Sequence, residues 1–324
     1  MSAMRVWVEG VGLWSPQLGD FAGLRGVLDS SAEAGGTFVG SEQDSHPLLN
    51  RLPEGEEARA RSAGPDKSAY PLLNPLPEGE EAKARIAQLD RGGSRPEASM
   101  LSANERRRAP ESVRLAIEVA GQAVIMSGRD ATMLACVFAS SHGDQAITDY
   151  MCTTLAQAPT ELSPTRFHNS VHNAPVGYWT IATGCHAPST AVAAQGATFG
   201  AGLLEAVSQT LTEQRSVLLV CSDTAGSGPL AEVTGCRQSF GCALVLAPTA
   251  STSSMAALDL ALLDDHLDTP LPEPLASWRD SNPSATSLAL LAQISRGSGS
   301  CRLAVSALLG MQIDVTAIKP GQPE

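Results

Sequence analysis

Residues 163–206 read SPTRFHNSVHNAPVGYWTIATGCHAPSTAVAAQGATFGAGLLEA, and the organisation of the chain follows from them. The pattern predicts a small-residue helix over about 170–183, a tight turn through Gly184 to Pro188, a buried strand over 189–194 and a second helix from about Gly196. A strand that feeds straight into a helix brings the chain to unpaired N–H groups and the positive end of a dipole. A nucleophilic cysteine would be placed and activated at such a junction. The residues there are Gln195, Gly196 and Ala197, and none of them is a nucleophile.

The chain has 324 residues, 43% of them hydrophobic, which is enough for a substantial core in one or two domains. Aromatic residues make up only 4%, and a chain rich in small residues suits close helix-on-sheet packing in an α/β layer fold. The apolar runs are too short to span a bilayer, and no signal-like segment opens the sequence, so the expected location is the cytoplasm with no membrane span. A net charge of −12 argues against nucleic acid as a partner, because phosphate neutralisation needs clustered cations. Seven cysteines with no CxxC pair suggest neither a disulfide framework nor a zinc site, and neither a metal nor another cofactor is expected.

Taken in order, residues 4–13 read as a strand that ends at Ser15-Pro16. The segment at 47–61, PLLNRLPEGEEARAR, recurs at 71–85 and differs only at Arg51/Pro75 and Arg59/Lys83. Two copies are too few for a solenoid, so residues 42–96 are expected to be a duplicated, low-complexity, disordered insertion. Residues 101–127 recover a helical period, with Val113, Leu115, Ile117, Val119, Ala120, Val124 and Ile125 on a buried face. Strands are expected at 132–139, 216–221 and 242–247, with a helix through Ile147, Tyr150, Met151 and Leu155. Alternation of this kind implies a mainly parallel sheet covered by helices on both faces. Residues 251–324 read as a short extension: a strand at 255–263, a helix at 284–294 and a hairpin over 301–315.

With these residues in view, MRVWVEGVGLWSP is similar to the opening of β-ketoacyl synthases. The segment SPTRFHNSVHNAPVGYWTIATGCHAPST resembles their long dimer-interface stretch, with HNSVHNAP its most specific part. The likeness is to β-ketoacyl-synthase-like chain-length factors of bacterial aryl polyene and xanthomonadin-type pigment clusters. It is good over 99–248, loose over 4–16 and absent from the insertion. It implies a thiolase-like layered α/β fold, mostly the N-terminal half of a ketosynthase, built from residues 1–41 and 97–250. In active synthases a cysteine at the tip of a central strand attacks the acyl thioester, and two histidines from the C-terminal half promote decarboxylation. Here, counting from Pro188-Ser189, the cysteine's place falls at Gly196, with Gln195 just before it, and beyond the last matching strand the only histidine is His266. The resemblance therefore implies a non-catalytic subunit that pairs with an active β-ketoacyl synthase in polyene or fatty-acid-like biosynthesis and meets acyl carrier protein indirectly. A half-length fold would leave an apolar face for that partner to cover.

Several residues carry further expectations. Ile147, Tyr150, Met151 and Phe167 fall in the region that the resemblance places beside the growing acyl chain, where bulk would limit its length; plain packing is the alternative. His168 and His172, with Asn169 and Asn173, have helical spacing and suit an interface or capping role, since no third metal ligand is at hand. Arg106, Arg107 and Arg108 fall just ahead of a helix start, against its dipole, and mark a docking point for an acidic carrier domain, or a solvated charge run. The rival reading is an independent thiol-dependent acyltransferase or hydrolase that uses Cys185, beside His186, or Cys221.

Overall fold

The computed structural model describes residues 4–33, 95–265 and 267–318; apart from Arg95 and Pro96, the expected insertion lies outside the described residues, as does His266. Segments on both sides of the insertion pack as one unit. Along the chain run β1 (Met4–Trp14), α1 (Phe21–Glu33), α2 (Ala103–Arg108), α3 (Glu111–Ser127), β2 (Ala135–Ala139), α4 (Gln145–Gln157), α5 (Pro164–His168), α6 (Ala174–Thr183), β3 (Ser189–Val192), α7 (Thr198–Glu213), β4 (Val217–Asp223), α8 (Leu230–Thr234), β5 (Phe240–Ala247), β6 (Ala256–Leu263), α9 (Leu275–Arg279), α10 (Leu288–Arg296), β7 (Ser298–Ala304) and β8 (Gly310–Ala317). No helix among the described residues is long and apolar enough to cross a membrane.

The strands form one sheet in the order β3-β2-β4-β5-β1-β6-β8-β7. It is mixed, not mainly parallel: β2 runs parallel to β3 and β4, and every other neighbouring pair is antiparallel. The link from β4 to β5 explains the difference. A parallel crossover needs a connection that spans the sheet, but residues 224–239 hold only the five-residue α8, and Asp223 ends up opposite Phe240. The chain turns back at the end of the sheet where it left.

Glycines in β1 set how closely the first layer packs. A Cβ on Gly10 would lie 2.0 Å from the Ala123 carbonyl oxygen, and one on Gly12 would lie 2.0 Å from that of Val119. Helix α3 thus rests directly on the strand backbone. Its Val113, Leu115, Ile117, Val119, Ala120 and Val124 are buried, as the period predicts, whereas Ile125 is 71% exposed near the helix end. The helix begins later than expected because the chain breaks at Ala109-Pro110 after α2. Trp14, Trp179, Leu218, Val220 and Val245 join α3 and α6 in the core on this face. On the other face Leu24, Phe199, Leu203, Leu219, Leu244 and Leu291 join α1, α7 and α10.

Strand β3 is not buried as predicted. It is an edge strand whose Ser189 and Ala191 are exposed, because β2 is its one neighbour among the described residues and its side chains are small. Nor does the far end of the sheet leave an apolar face for a partner. Leu258, Leu260, Cys301, Leu303, Met311, Ile313 and Val315 point into the core. The opposite face carries Arg5 paired with Asp259 at 2.8 Å, Ser300 on Asp314 at 2.8 Å and Arg302 on Gln312 at 3.1 Å. Period-two alternation has made that side a solvated surface.

The glycine contacts predict opposite outcomes for two similar substitutions. Gly12→Ala should lower the free energy of unfolding in urea by about 1–3 kcal/mol, the usual cost of overpacking. Gly177→Ala, where a Cβ meets nothing within 4 Å inside α6, should raise it by about 0.5–1 kcal/mol.

Candidate functional site

The site forms where the parallel strands β2, β3 and β4 end together. After β3 the chain passes Ala194 and makes a 3-10 turn over Gln195–Ala197 that runs into α7. Gln195 has φ +51°, a left-handed conformation that is rare for a residue with a side chain. Two hydroxyls donate to its carbonyl oxygen at 2.7 Å: Ser141 Oγ from the loop after β2, and Thr198 Oγ1 from the first residue of α7. Thr198 Oγ1 also accepts the Ala194 N–H at 2.9 Å, so the turn is tied on both sides. The Gln195 side chain is exposed, and a Cβ on Gly196 would meet nothing within 4 Å. This strained strand-to-helix bend has the geometry that presents a side chain at the top of a sheet.

A buried carboxylate lies behind the bend. Asp223, 2% exposed at the end of β4, accepts from Ser140 Oγ at 2.8 Å, Ser141 N at 2.9 Å and His142 N at 3.0 Å on one oxygen. Its other oxygen accepts from Ser284 Oγ at 2.6 Å. The Asn282 amide donates to the Asp223 and Gln238 carbonyls at 2.8 and 2.7 Å. These residues escaped the sequence reading because they come from three separate loops; the one local signal was an aspartate closing the apolar run SVLLVC.

The thiols are placed elsewhere. Cys221 is fully buried and donates to Ser284 Oγ at 3.3 Å; desolvation, with Cys242 and Asp223 adding to it, pushes its pKa well above the usual thiol range. Cys185 is 4% exposed, with Sγ 3.3 Å from the Leu134 carbonyl just before β2. Because β2 and β3 run parallel, that is the opposite end of the sheet from Gln195. His186 beside it is exposed.

The His/Asn set is divided by a turn. His168 ends α5, Asn173 stands at the N-cap position of α6 without a side-chain capping bond, and both are exposed, so the histidines do not share one helix. Buried Asn169 accepts the Tyr178 hydroxyl at 3.3 Å, and His172 Nε2 lies 2.9 Å from the Ser140 carbonyl. Asn169 and His172 line a cavity of about 20 Å³ together with Phe138, Ser140, Val171 and Ser222, room for about one water. The bulky set is placed differently. Ile147 is buried, Met151 is half-buried and Phe167 is 57% exposed. Tyr150 is pinned: its hydroxyl accepts from Ser163 N at 3.0 Å and the Arg166 guanidinium lies 3.9 Å from its ring centre.

The arginine triplet occupies the last turn of α2, not its start. The dipole of α2 favours positive charge there, and the triplet also lies just ahead of α3, which starts at Glu111. Arg106 and Arg107, but not Arg108, line a groove of about 660 Å³ with Arg95, Arg114 and Glu111. Arg106 donates to the Glu97 carbonyl at 3.4 Å and Arg114 to that of Pro96 at 2.6 Å.

Comparison with solved structures returns the same architecture. A ketosynthase (ApeO) in complex with its chain length factor (ApeC) from Xenorhabdus doucetiae is 25% identical, with a TM-score of 0.53, over 73% of this chain and 92% of the matched one. A β-ketoacyl synthase from Burkholderia phymatum matches 98% of this chain and 100% of its own at 12% identity and a TM-score of 0.56. The ishigamide ketosynthase/chain length factor has the same coverage and identity with a TM-score of 0.55. No curated protein matches. Residues 80–306 match the family described as "Beta-ketoacyl synthase, N-terminal domain". A match over that much of the sequence, on a mixed sheet with a strand-to-helix bend at Gln195, makes this chain a member of the β-ketoacyl synthase family.

Proposed function

We propose that the chain is a chain-length-factor-like subunit without condensing activity, which pairs with an active β-ketoacyl synthase and completes that partner's acyl cavity. The observation that carries the reading is Gln195 in left-handed backbone at the bend where family members present a cysteine. The same geometry favours Gln195 over Gly196 as the residue in the nucleophile's place. An amide cannot form a thioester, and neither thiol of the rival reading substitutes for it: Cys221 is sealed and its pKa is pushed up by burial, and Cys185 lies at the far end of β3.

The pairing surface in this reading is the free edge of β3 with the exposed apolar side chains of the preceding segment, Phe167, Val171 and Ile181. Strand addition at a sheet edge supplies main-chain hydrogen bonds, and exposed apolar groups supply area. Ile147, Tyr150, Met151 and Phe167, with the His/Asn set from His168 to Asn173, then lie at or near the shared cavity. Tyr150, held at both its hydroxyl and its ring, is the stiffest of them and the best suited to limit an acyl chain. The supporting likeness is to chains of ketosynthase/chain length factor complexes. Arg106 and Arg107 are proposed to meet an acidic acyl carrier domain, since their groove holds four guanidinium groups against the single carboxylate of Glu111.

Pairing is tested at β3. Pro188 and Val192 direct their carbonyls toward β2, which leaves the Ala191 N–H facing outward. Ala191→Pro should therefore reduce co-purification with a co-expressed ketosynthase at least about tenfold while leaving the melting temperature of the isolated chain nearly unchanged. Full retention of the complex would place the partner elsewhere. Carrier contact is tested by charge reversal: Arg106→Glu with Arg107→Glu should weaken carrier binding to the pair by about tenfold at low salt, and by less at high salt.

A further inference from the structure

We infer that Asp223 is the positioning residue of the Gln195 bend, acting through Ser141. The inference rests on reading Gln195 as the residue in the nucleophile's place. A non-glycine residue at φ +51° persists only where its surroundings over-determine it. One restraint is local, Thr198 Oγ1 from the first residue of α7. The other comes across the sheet: Ser141 donates its hydroxyl to the Gln195 carbonyl while its backbone N–H is fixed on Asp223 Oδ1. The same carboxylate oxygen also holds Ser140 Oγ and His142 N, so the loop after β2 cannot shift without breaking three bonds to a buried charge. Oδ2, on Ser284, ties the network to the turn over Pro283–Ser287 that packs against the bend. The hydrogen-bonded route from the carboxylate to the bend thus runs through Ser141, beside the packing contact made by the turn over Pro283–Ser287.

The route can be read chemically without any partner, so failure of the pairing proposal and failure of this one are separable. Gln195→Cys places a thiol at the start of α7, where the helix N-terminus favours thiolate. Native Cys152 is the exposed cysteine of the described residues and serves as an internal reference. With iodoacetamide at pH 7, the ratio of alkylation rates, Cys at 195 over Cys152, should be about tenfold. Adding Ser141→Ala should lower that ratio at least about threefold with an unchanged melting temperature, and Ser141→Thr, which keeps the hydroxyl, should restore it. Asp223→Asn should lower the ratio further; if that variant does not fold, the serine pair decides alone. A ratio that is the same in the Ala and Thr backgrounds would overturn the inference, because a merely structural serine would not set reactivity 54 positions away in sequence.

Discussion

The Asp223 carboxylate is held almost out of water at the end of β4, and it is stable there because four donors converge on its two oxygens. An unpaired buried charge costs several kcal/mol, whereas each hydrogen bond to a charged group returns about 1.5–3 kcal/mol. That balance fixes three loops relative to one another: the residues after β2, the residues after β4 and the turn before α10. The bend at Gln195 sits on this platform and takes from it a backbone conformation it would not adopt alone. The apolar run of β4 from Val217 to Cys221 and the apolar β5 below supply the rigidity, and the polar network above supplies the shape.

In the proposed reading a ketosynthase frame is kept with an amide in the place of the nucleophilic thiol. The left-handed residue, the short 3-10 turn and the start of α7 are all retained. On that proposal, a strained bend is kept without a nucleophile because the shape itself contributes to a shared cavity. At the other end of the sheet, β6, β8 and β7 carry a polar outer face, so a partner is not needed to cover them. The proposed interface combines the open edge of β3 with the exposed Phe167, Val171 and Ile181 of the segment before it.

The sequence made the elements legible wherever burial and period agreed: β1, α3, β2, α7, β4 and β5 fall close to where their apolar patterns place them. Strand direction was not legible, since an apolar run such as CALVLA has the same composition whichever way it is inserted. Nor was the edge position of β3, because Ser, Thr and Ala fit a crowded centre as readily as an open margin. The polar face of β6 and β8 could have been read from Asp259 and Asp314 alternating with Leu and Ile. The arrangement of Ser141, Asp223 and Ser284 could not have been, as nothing local joins residues so far apart. Counting along the resemblance puts the nucleophile's place at Gly196, with Gln195 just before it, and the left-handed φ of Gln195 is what moves the proposal to that residue.

The most direct measurement is the intact mass of both chains after a purified pair, this protein with an active ketosynthase, is incubated with a carrier-bound acyl thioester. The account predicts an acyl adduct on the ketosynthase and an unchanged mass for this chain. A stoichiometric acyl adduct on this chain would contradict it.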